Sequence, residues 1–268
     1  MVRVDIALTE AGLARSRNQA AALVEANRVS INGRPARKSS QDVPLGAKLV
    51  VSDADDYVSR AGHKLAMALD EFEGLEIQGK QALDVGASTG GFTDVLLRRG
   101  VSHVIAIDVG HDQIVPELLE NPRVTSIEGF NARELSDKSL ATALGKAAPT
   151  IDLVVADLSF ISLTLVLDGM FAVAPNAEFV LLVKPQFEAG KHSLNAHGIV
   201  VDHRSRADAI EQVALHAEKL GLKIVDLVRS KLPGTHGNIE YVLWMSSKHG
   251  EYLSQWMDRV ASLTKEAR

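Results

Sequence analysis

The sequence predicts an α/β protein: a doubly wound, mainly parallel sheet whose last strand is antiparallel, preceded by a small α+β module. Three observations carry this. From residue 81 onward short apolar runs alternate with amphipathic stretches of helix length, the βαβ rhythm of a sheet covered on both faces. The 268 residues, 46% of them hydrophobic, suffice for one large core and a smaller one. The formal charge of −5 is unevenly spread: residues 1–52 hold 8 Lys and Arg against 4 Asp and Glu, a net of +4, which leaves −9 for the remainder. A basic module ahead of an acidic one fits a polyanionic partner, because phosphate contacts release counterions.

Zero cysteines exclude a disulfide framework, a thiolate zinc site and a cysteine nucleophile. The nine histidines form no H-E-x-x-H pair, so no metal is expected. The opening MVRVDIALTEAGLARSR carries charges where a signal peptide needs an apolar core, and no stretch approaches the ~18 apolar residues of a membrane-spanning helix. A soluble cytoplasmic protein without a membrane partner is expected. Oligomeric state leaves no trace in the sequence.

In the basic module, residues 3–11 and 16–26 read as short amphipathic helices, the second N-capped by Ser16. Strands follow at VSING, with a tight turn at Asn32 and Gly33, and at AKLVV (47–51), after the turn at Pro44, Leu45 and Gly46. The string GLARSRNQAAALVEANRVSINGRPARKSSQDVPLGAKLVV resembles the S-four-type RNA-binding fold of ribosomal proteins, tyrosyl-tRNA synthetases and pseudouridine synthases. That resemblance implies that Arg15, Ser16, Arg17 and Gln19 at the helix start, with Arg28, Arg34, Arg37 and Lys38 around the turn, face RNA phosphates. The module is bounded at 1–52, and the polar, acidic DADDYVSR provides a linker over 53–60 to a second domain at 61–268.

In the second domain, strands are expected at QALDV (81–85), HVIAID (103–108), VTSIE (124–128), IDLVVAD (151–157) and EFVLLVK (178–184), with helices between them. LSFISLTLVLDGMFAVA (158–174) reads as one buried helix, with Phe160 at the edge of a cofactor pocket. PQFEAGKHSLNAHGIV reads as a long loop able to fold over a substrate. After a helix at 203–220, KIVDLVRS and IEYVLWM are joined by KLPGTHGN, short enough for an antiparallel hairpin, and an amphipathic helix follows from about 250 to 265.

In such sheets ligands sit beyond the carboxyl ends of the strands, near the point where strand order reverses. There the first strand runs into DVGASTGGF, where Gly86, Gly90 and Gly91 let backbone approach a ligand. Ser88 stands at the second glycine position, so the dinucleotide fingerprint G-x-G-x-x-G is not met. Asp84 brings a negative charge unsuited to a pyrophosphate, and Asp108 ends the second strand where a carboxylate takes two ribose hydroxyls. These features suit a nucleoside without phosphates, and the sulfonium of S-adenosylmethionine better than NAD. Polar residues also sit at the ends of otherwise apolar strands: Asp157, Lys184 and, at the opening of the last, Glu240. Lys64 lies on the helix SRAGHKLAMALDEF over the same edge. Four such groups at the ends of four elements mark a candidate site.

SRAGHKL, LDVGASTGGFTDVLL, DLVVADLSFISL, LVKPQFE and GNIEYVLW, in this order behind an RNA-binding module, resemble the TlyA family of ribosomal RNA 2′-O-methyltransferases, also labelled haemolysins. The resemblance implies a Rossmann-like class I methyltransferase sheet similar to FtsJ, S-adenosylmethionine as cofactor, and ribosomal RNA or ribosomal subunits as partner. It implies a catalytic tetrad of Lys64, Asp157, Lys184 and Glu240, with Asp157 orienting both lysines and Glu240 holding a lysine or a ribose hydroxyl. It places the cofactor against Asp84, Gly86, Ala87, Ser88, Gly90, Gly91, Phe92 and Asp157, with Asp108 on its ribose and Asn131 beside its adenine. The product is a 2′-O-methylated cytidine in large-subunit RNA, and also in small-subunit RNA if the C-terminal WMDRVASLTKEAR marks the broader activity. Lys184 acts either as general base on the 2′-hydroxyl or as a protonated guide that stabilises developing negative charge. Two other classes stay open: a membrane-active haemolysin, which needs an amphipathic or apolar inserting element, and a non-catalytic RNA-binding assembly factor.

Overall fold

A computed structural model describes residues 2–25, 28–51, 57–234 and 237–265. The chain divides into two units, Met1–Asp56 and Tyr57–Arg268. The first half of the expected linker, 53–56 of 53–60, lies outside the described residues.

In the smaller unit β1 (Val2–Arg3) leads into α1 (Val4–Glu10), followed by α2 (Arg17–Glu25), β2 (Val29–Ile31), β3 (Arg34–Pro35), β4 (Asp42–Val43) and β5 (Leu49–Val51). Strand β2 lies between β3 and β5, antiparallel to both, while β1 pairs with β4. Asn32 and Gly33 have φ of 52° and 78°, the left-handed pair that lets Asn-Gly close a two-residue hairpin between β2 and β3. Apolar faces of both helices, among them Val4, Leu8, Ala20 and Leu23, meet Val29 and Ile31 in a core of their own.

The larger unit alternates helix and strand: α3 (Arg60–Glu71), β6 (Gln81–Val85), α4 (Gly91–Arg98), β7 (His103–Ile107), α5 (Pro116–Leu119), β8 (Val124–Ile127), α6 (Asp137–Leu144), β9 (Leu153–Ala156), α7 (Leu167–Val173), β10 (Glu178–Val183), α8 (Pro185–Glu188), α9 (His203–Lys219), β11 (Lys223–Arg229), β12 (Tyr241–Ser246) and α10 (Leu253–Lys265). Its seven strands run in the order β11-β12-β10-β9-β6-β7-β8. All neighbours from β8 to β10 are parallel, and β12 is antiparallel to both β10 and β11. The expected hairpin therefore forms, and its second strand inserts between its first and β10. One face of the sheet packs on α7, α9 and α10 through residues such as Leu167, Val213 and Val260. The other packs on α3, α4 and α5 through Leu65, Leu96 and Leu118.

Two expectations are corrected. Residues 158–174 do not form one helix: Phe160 takes a φ of 64°, Ser162 caps a 3₁₀ turn at Leu163–Leu165, and α7 starts only at Leu167. The Glu188 carboxylate accepts from Leu163 N at 2.9 Å and from Ser162 Oγ at 2.5 Å, which stops a longer helix from running through these donors. The segment after Lys184 is likewise no open loop. Pro185 starts α8, and the Phe187 ring packs on Phe160, with centroids 5.1 Å apart.

At the sheet edge opposite the strand ends considered below, Glu178 is buried and accepts from Trp244 Nε1 at 2.8 Å and from Ser246 Oγ at 3.1 Å. Glu178→Ala leaves two buried donors unpaired and is expected to lower unfolding stability by about 1–3 kcal/mol. Urea unfolding followed by tryptophan fluorescence reads this unit alone, since Trp244 and Trp256 are the chain's two tryptophans. A midpoint equal to wild type would contradict these bonds.

Candidate functional site

Strand order reverses between β6 and β9, whose carboxyl ends lie side by side. Gly86 follows β6 with φ +84°, and a Cβ there would lie 2.8 Å from Leu158 Cδ2 and 3.0 Å from the Asp157 carbonyl oxygen. Only glycine allows this close approach. Gly86, Ala87, Ser88, Gly91 and Phe92 wall a cavity of about 230 Å³, together with Ser59 and Arg60 from the start of α3 and Asp157 and Ser159 beyond β9. Phe160 is absent from this wall and is 90% exposed.

Three residues expected against the ligand are not part of this wall. Gly90 has φ +96° and turns its Cα toward Leu118, so its smallness serves packing on α5. Asn131 is exposed and caps a 3₁₀ turn, accepting from Arg133 N at 3.1 Å. Asp84 is fully buried beneath the turn, where Oδ2 accepts from Thr93 Oγ1 at 2.6 Å and Oδ1 has no partner. Burial above all, aided by the nearby Asp157 charge and opposed by the Thr93 hydrogen bond, pushes its carboxyl up to about 7. Asp108 lies outside the cavity wall but fixes it, accepting from Ser88 N at 2.8 Å and from Gly110 N at 2.7 Å.

The four charged residues at the element ends form two pairs. Lys184 Nζ lies 2.7 Å from Asp157 Oδ1, at an angle outside hydrogen-bond geometry, and donates to Ser159 Oγ at 2.8 Å. Lys64 Nζ donates to Glu240 Oε2 at 2.5 Å. Lys64, Lys184 and Glu240 are all at least nine-tenths buried. The sheet explains their placement. Val183 is opposite Tyr241 in the β10–β12 register, so Lys184 and Glu240 leave adjacent strands at one level. Asp157 ends β9 beside them, and α3 brings Lys64. Asp157 thus pairs with one lysine rather than both.

Sequence reading missed several members. Gln186 donates from Nε2 to Glu240 Oε1 at 3.0 Å, and its own Oε1 is buried without a partner. Ser159 and Arg60 were equally unmarked. A polar residue two positions beyond each strand-end charge, at 159 and 186, is the signal that would have found two of them.

In the smaller unit, Arg15 is exposed, and the Gln19 side chain is engaged at the helix start, accepting from Arg15 N at 2.6 Å, while Ser16 Oγ accepts from Gln19 N at 3.2 Å. Arg17 donates to the buried Asp5 at 2.9 Å and Arg3 at 3.0 Å, and these hydrogen bonds, Arg17's first, hold the Asp5 carboxyl below the usual range. Asp5 N donates to Ser39 O at 3.0 Å, which brings the stretch carrying Arg37 and Lys38 beside Arg17. Arg34, Arg37 and Lys38 are exposed and have no ion pair among the described residues. Arg28 is half-buried at the start of β2.

The family model of FtsJ-like methyltransferases matches residues 57–247, and that of the S-four domain matches residues 2–49. The 16S/23S rRNA (cytidine-2′-O)-methyltransferase TlyA of Mycobacterium tuberculosis is 46% identical, over 94% of this chain and 92% of its own. The 23S rRNA (cytidine-2′-O)-methyltransferase TlyA of Campylobacter jejuni is 32% identical, over 84% of this chain and 92% of its own. A solved structure from Streptococcus thermophilus, described with the word hemolysin, is 33% identical with a TM-score of 0.74, covering 98% of this chain and 95% of that one.

The buried Asp84 carboxyl makes a pH test. An unfolded aspartate loses its proton near pH 3.8 and the folded one near 7, so between these values the folded state binds more protons. Stability is therefore expected to fall as pH rises from about 4 to 7, by at most ~1.4 kcal/mol per pH unit from this group. Asp84→Asn should remove that decline in urea midpoints measured across the range. Identical pH dependence in variant and wild type would contradict it.

Proposed function

The chain belongs to the TlyA family of FtsJ-like methyltransferases, and from that premise we propose that it methylates the 2′-hydroxyl of cytidine in ribosomal RNA. One observation carries the reading: two buried lysine–carboxylate pairs stand at the carboxyl edge of the sheet, beside a glycine-walled cavity at the switch point. A scaffold that only bound RNA would have no use for charges buried there at such expense.

The cavity fits S-adenosylmethionine. Gly86 and Gly91 form a cradle that a Cβ would close, Ala87, Ser88 and Phe92 wall it, and Asp157 and Ser159 supply oxygens. Asp108 anchors the same turn and retains acceptor capacity for ribose hydroxyls. S-adenosylmethionine supplies an electrophilic methyl group on a sulfonium. The chain's part is to bring a weak nucleophile into line with it, an effect worth up to ~7–11 kcal/mol in favourable cases.

Lys184, as an ammonium, has three N–H groups: one donated to Ser159, one turned toward Asp157 and a third for the ribose oxygen. There it orients the 2′-hydroxyl and stabilises negative charge as it develops, and the hydroxyl proton leaves to solvent water as the methyl–sulfur bond breaks. The close pairing with Asp157 and the bond to Ser159 fix the direction of the amino group, which suits this role. Lys64 is closed on Glu240, and Gln186 holds the second carboxylate oxygen, which fixes this half of the tetrad.

Arg15, Arg17, Arg34, Arg37 and Lys38 on the smaller unit take RNA phosphates. Arg17 does so from a position already set by Asp5. Both ribosomal RNAs are the targets; the 46% identity to the 16S/23S enzyme supports this over the narrower activity of the 32% identical one. A ribosomal substrate places the protein in the cytoplasm. Among the described residues no helix is long and apolar enough to cross a membrane. The word hemolysin on the streptococcal structure is the observation behind a second reading, membrane activity; vesicle leakage without methyl transfer would favour it.

Mapping of 2′-O-methyl groups in a strain lacking the protein is expected to show a cytidine in each ribosomal RNA that regains its methyl with the wild type and not with Asp157→Ala. Restoration by Asp157→Ala would contradict the site. Lys184→Met should lower the single-turnover rate about 10²- to 10³-fold while cofactor affinity stays within about threefold. A near-normal rate would remove Lys184 from the chemistry.

A further inference from the structure

A second cavity, of about 910 Å³, opens at the same edge of the sheet over its outer strands. Residues 199–203, the first turn of α9, the end of β11 and the last residue of α10 form its wall. The lining is strongly basic: Arg206, Arg229, Lys231 and Lys265, with His203 beside them. Asp202 is the acid in this wall, and its carboxylate is engaged as the N-cap of α9, accepting from Ser205 N at 2.8 Å. Lys231 is shared with Glu71 at 2.7 Å.

Arg206 is the unusual member. Its side chain is 8% exposed, yet no carboxylate among the described residues pairs with it. Nη1 donates to the carbonyls of Val200 at 3.2 Å and Val201 at 2.7 Å, Nη2 donates to that of Thr264 at 2.7 Å, and Nε has no partner. These bonds tie α9 to the end of α10 but supply no counter-charge. The carbonyl end of α10 offers only partial negative charge, so the guanidinium adds positive potential to the cavity it lines, which an anionic ligand would answer.

We propose that this cavity binds a backbone phosphate of the RNA strand that carries the target ribose; the assignment rests on the rRNA methyltransferase reading above. Arginine and lysine side chains suit a phosphodiester, and the volume leaves room for a nucleotide beside it. The cavity is continuous with the transfer site through the backbone: Ser230 and Ile239 line it, and Ser230 N donates to the Glu240 carbonyl at 2.9 Å. A phosphate held here fixes the strand on the β12 side of the tetrad, opposite the cofactor cavity at the β6–β9 junction.

The test is equilibrium binding of a ribosomal RNA fragment across a salt series, comparing wild type with Lys231→Gln/Lys265→Gln. Each lost phosphate contact should reduce the slope of log K against log salt by about 0.7 to 0.9, which corresponds to about 5- to 8-fold weaker binding at 0.1 M salt. The double variant is expected to lose up to one such contact, because both lysines face one phosphate, with cofactor affinity and melting temperature as in wild type. If it melts early, Lys265→Gln alone carries the comparison with half the change. An unchanged slope in a folded variant would overturn the assignment, as would a loss of inorganic phosphate binding with RNA binding intact. Methylation by wild type in the same preparation separates the two readings: if the wild type methylates and the slope is unchanged, only the phosphate assignment fails.

Discussion

Burial of charge at one edge of the sheet is the constraint on which the rest of the larger unit depends. Lys64, Lys184 and Glu240 are removed from water almost completely, and each such ion carries a desolvation penalty of several kcal/mol that only close pairing offsets. The offset demands placement to a fraction of an ångström, which loops rarely give and strand ends do. The β10–β12 register sets Lys184 level with Glu240, the β9–β10 pairing sets Asp157 beside Lys184, and α3 packs against α4 so that Lys64 reaches Glu240. An antiparallel β12 is essential here: a parallel strand in its place would deliver its carboxyl end, and not its opening residue, to this edge.

The glycine turn answers to the same geometry. Its positive φ values at Gly86 and Ser88 let the backbone fold tightly beside Asp157, and Asp108, itself held by the Gly110 amide, braces it from the end of the next strand through the Ser88 amide. Beneath it Asp84 is held by Thr93 in the core, so on the β6 side the wall of the cavity is a braced peptide turn and not the Asp84 side chain.

Much of this was legible in sequence. Strands β6, β7, β9, β10 and β12 stand out as apolar runs because both faces of the sheet are covered, and the strand-end charges stand out against them. The two-residue strands β1, β3 and β4 are too short to show alternation. The apolar stretch at 158–174 looked like one helix because hydrophobic patterning cannot see the Glu188 carboxylate, 25 residues from Leu163, that claims its donors. Pairing within the tetrad was illegible for a similar reason. Which lysine meets which carboxylate depends on strand register and on the packing of α3, and neither is written locally. Asp84 reads as a ligand group because it is an acid beside a glycine turn, whereas its burial against Thr93 depends on the strand position, which turns it inward.

The central claim is that the buried pairs act as units in positioning the transfer. A double-mutant cycle on Lys64→Met and Glu240→Gln, read as single-turnover methyl transfer to ribosomal RNA, tests it most directly. Each single variant should be slowed at least about 100-fold, and the double variant should be no slower than the worse single, because the pair is already broken. Losses that multiply, or singles near the wild-type rate, would contradict the account.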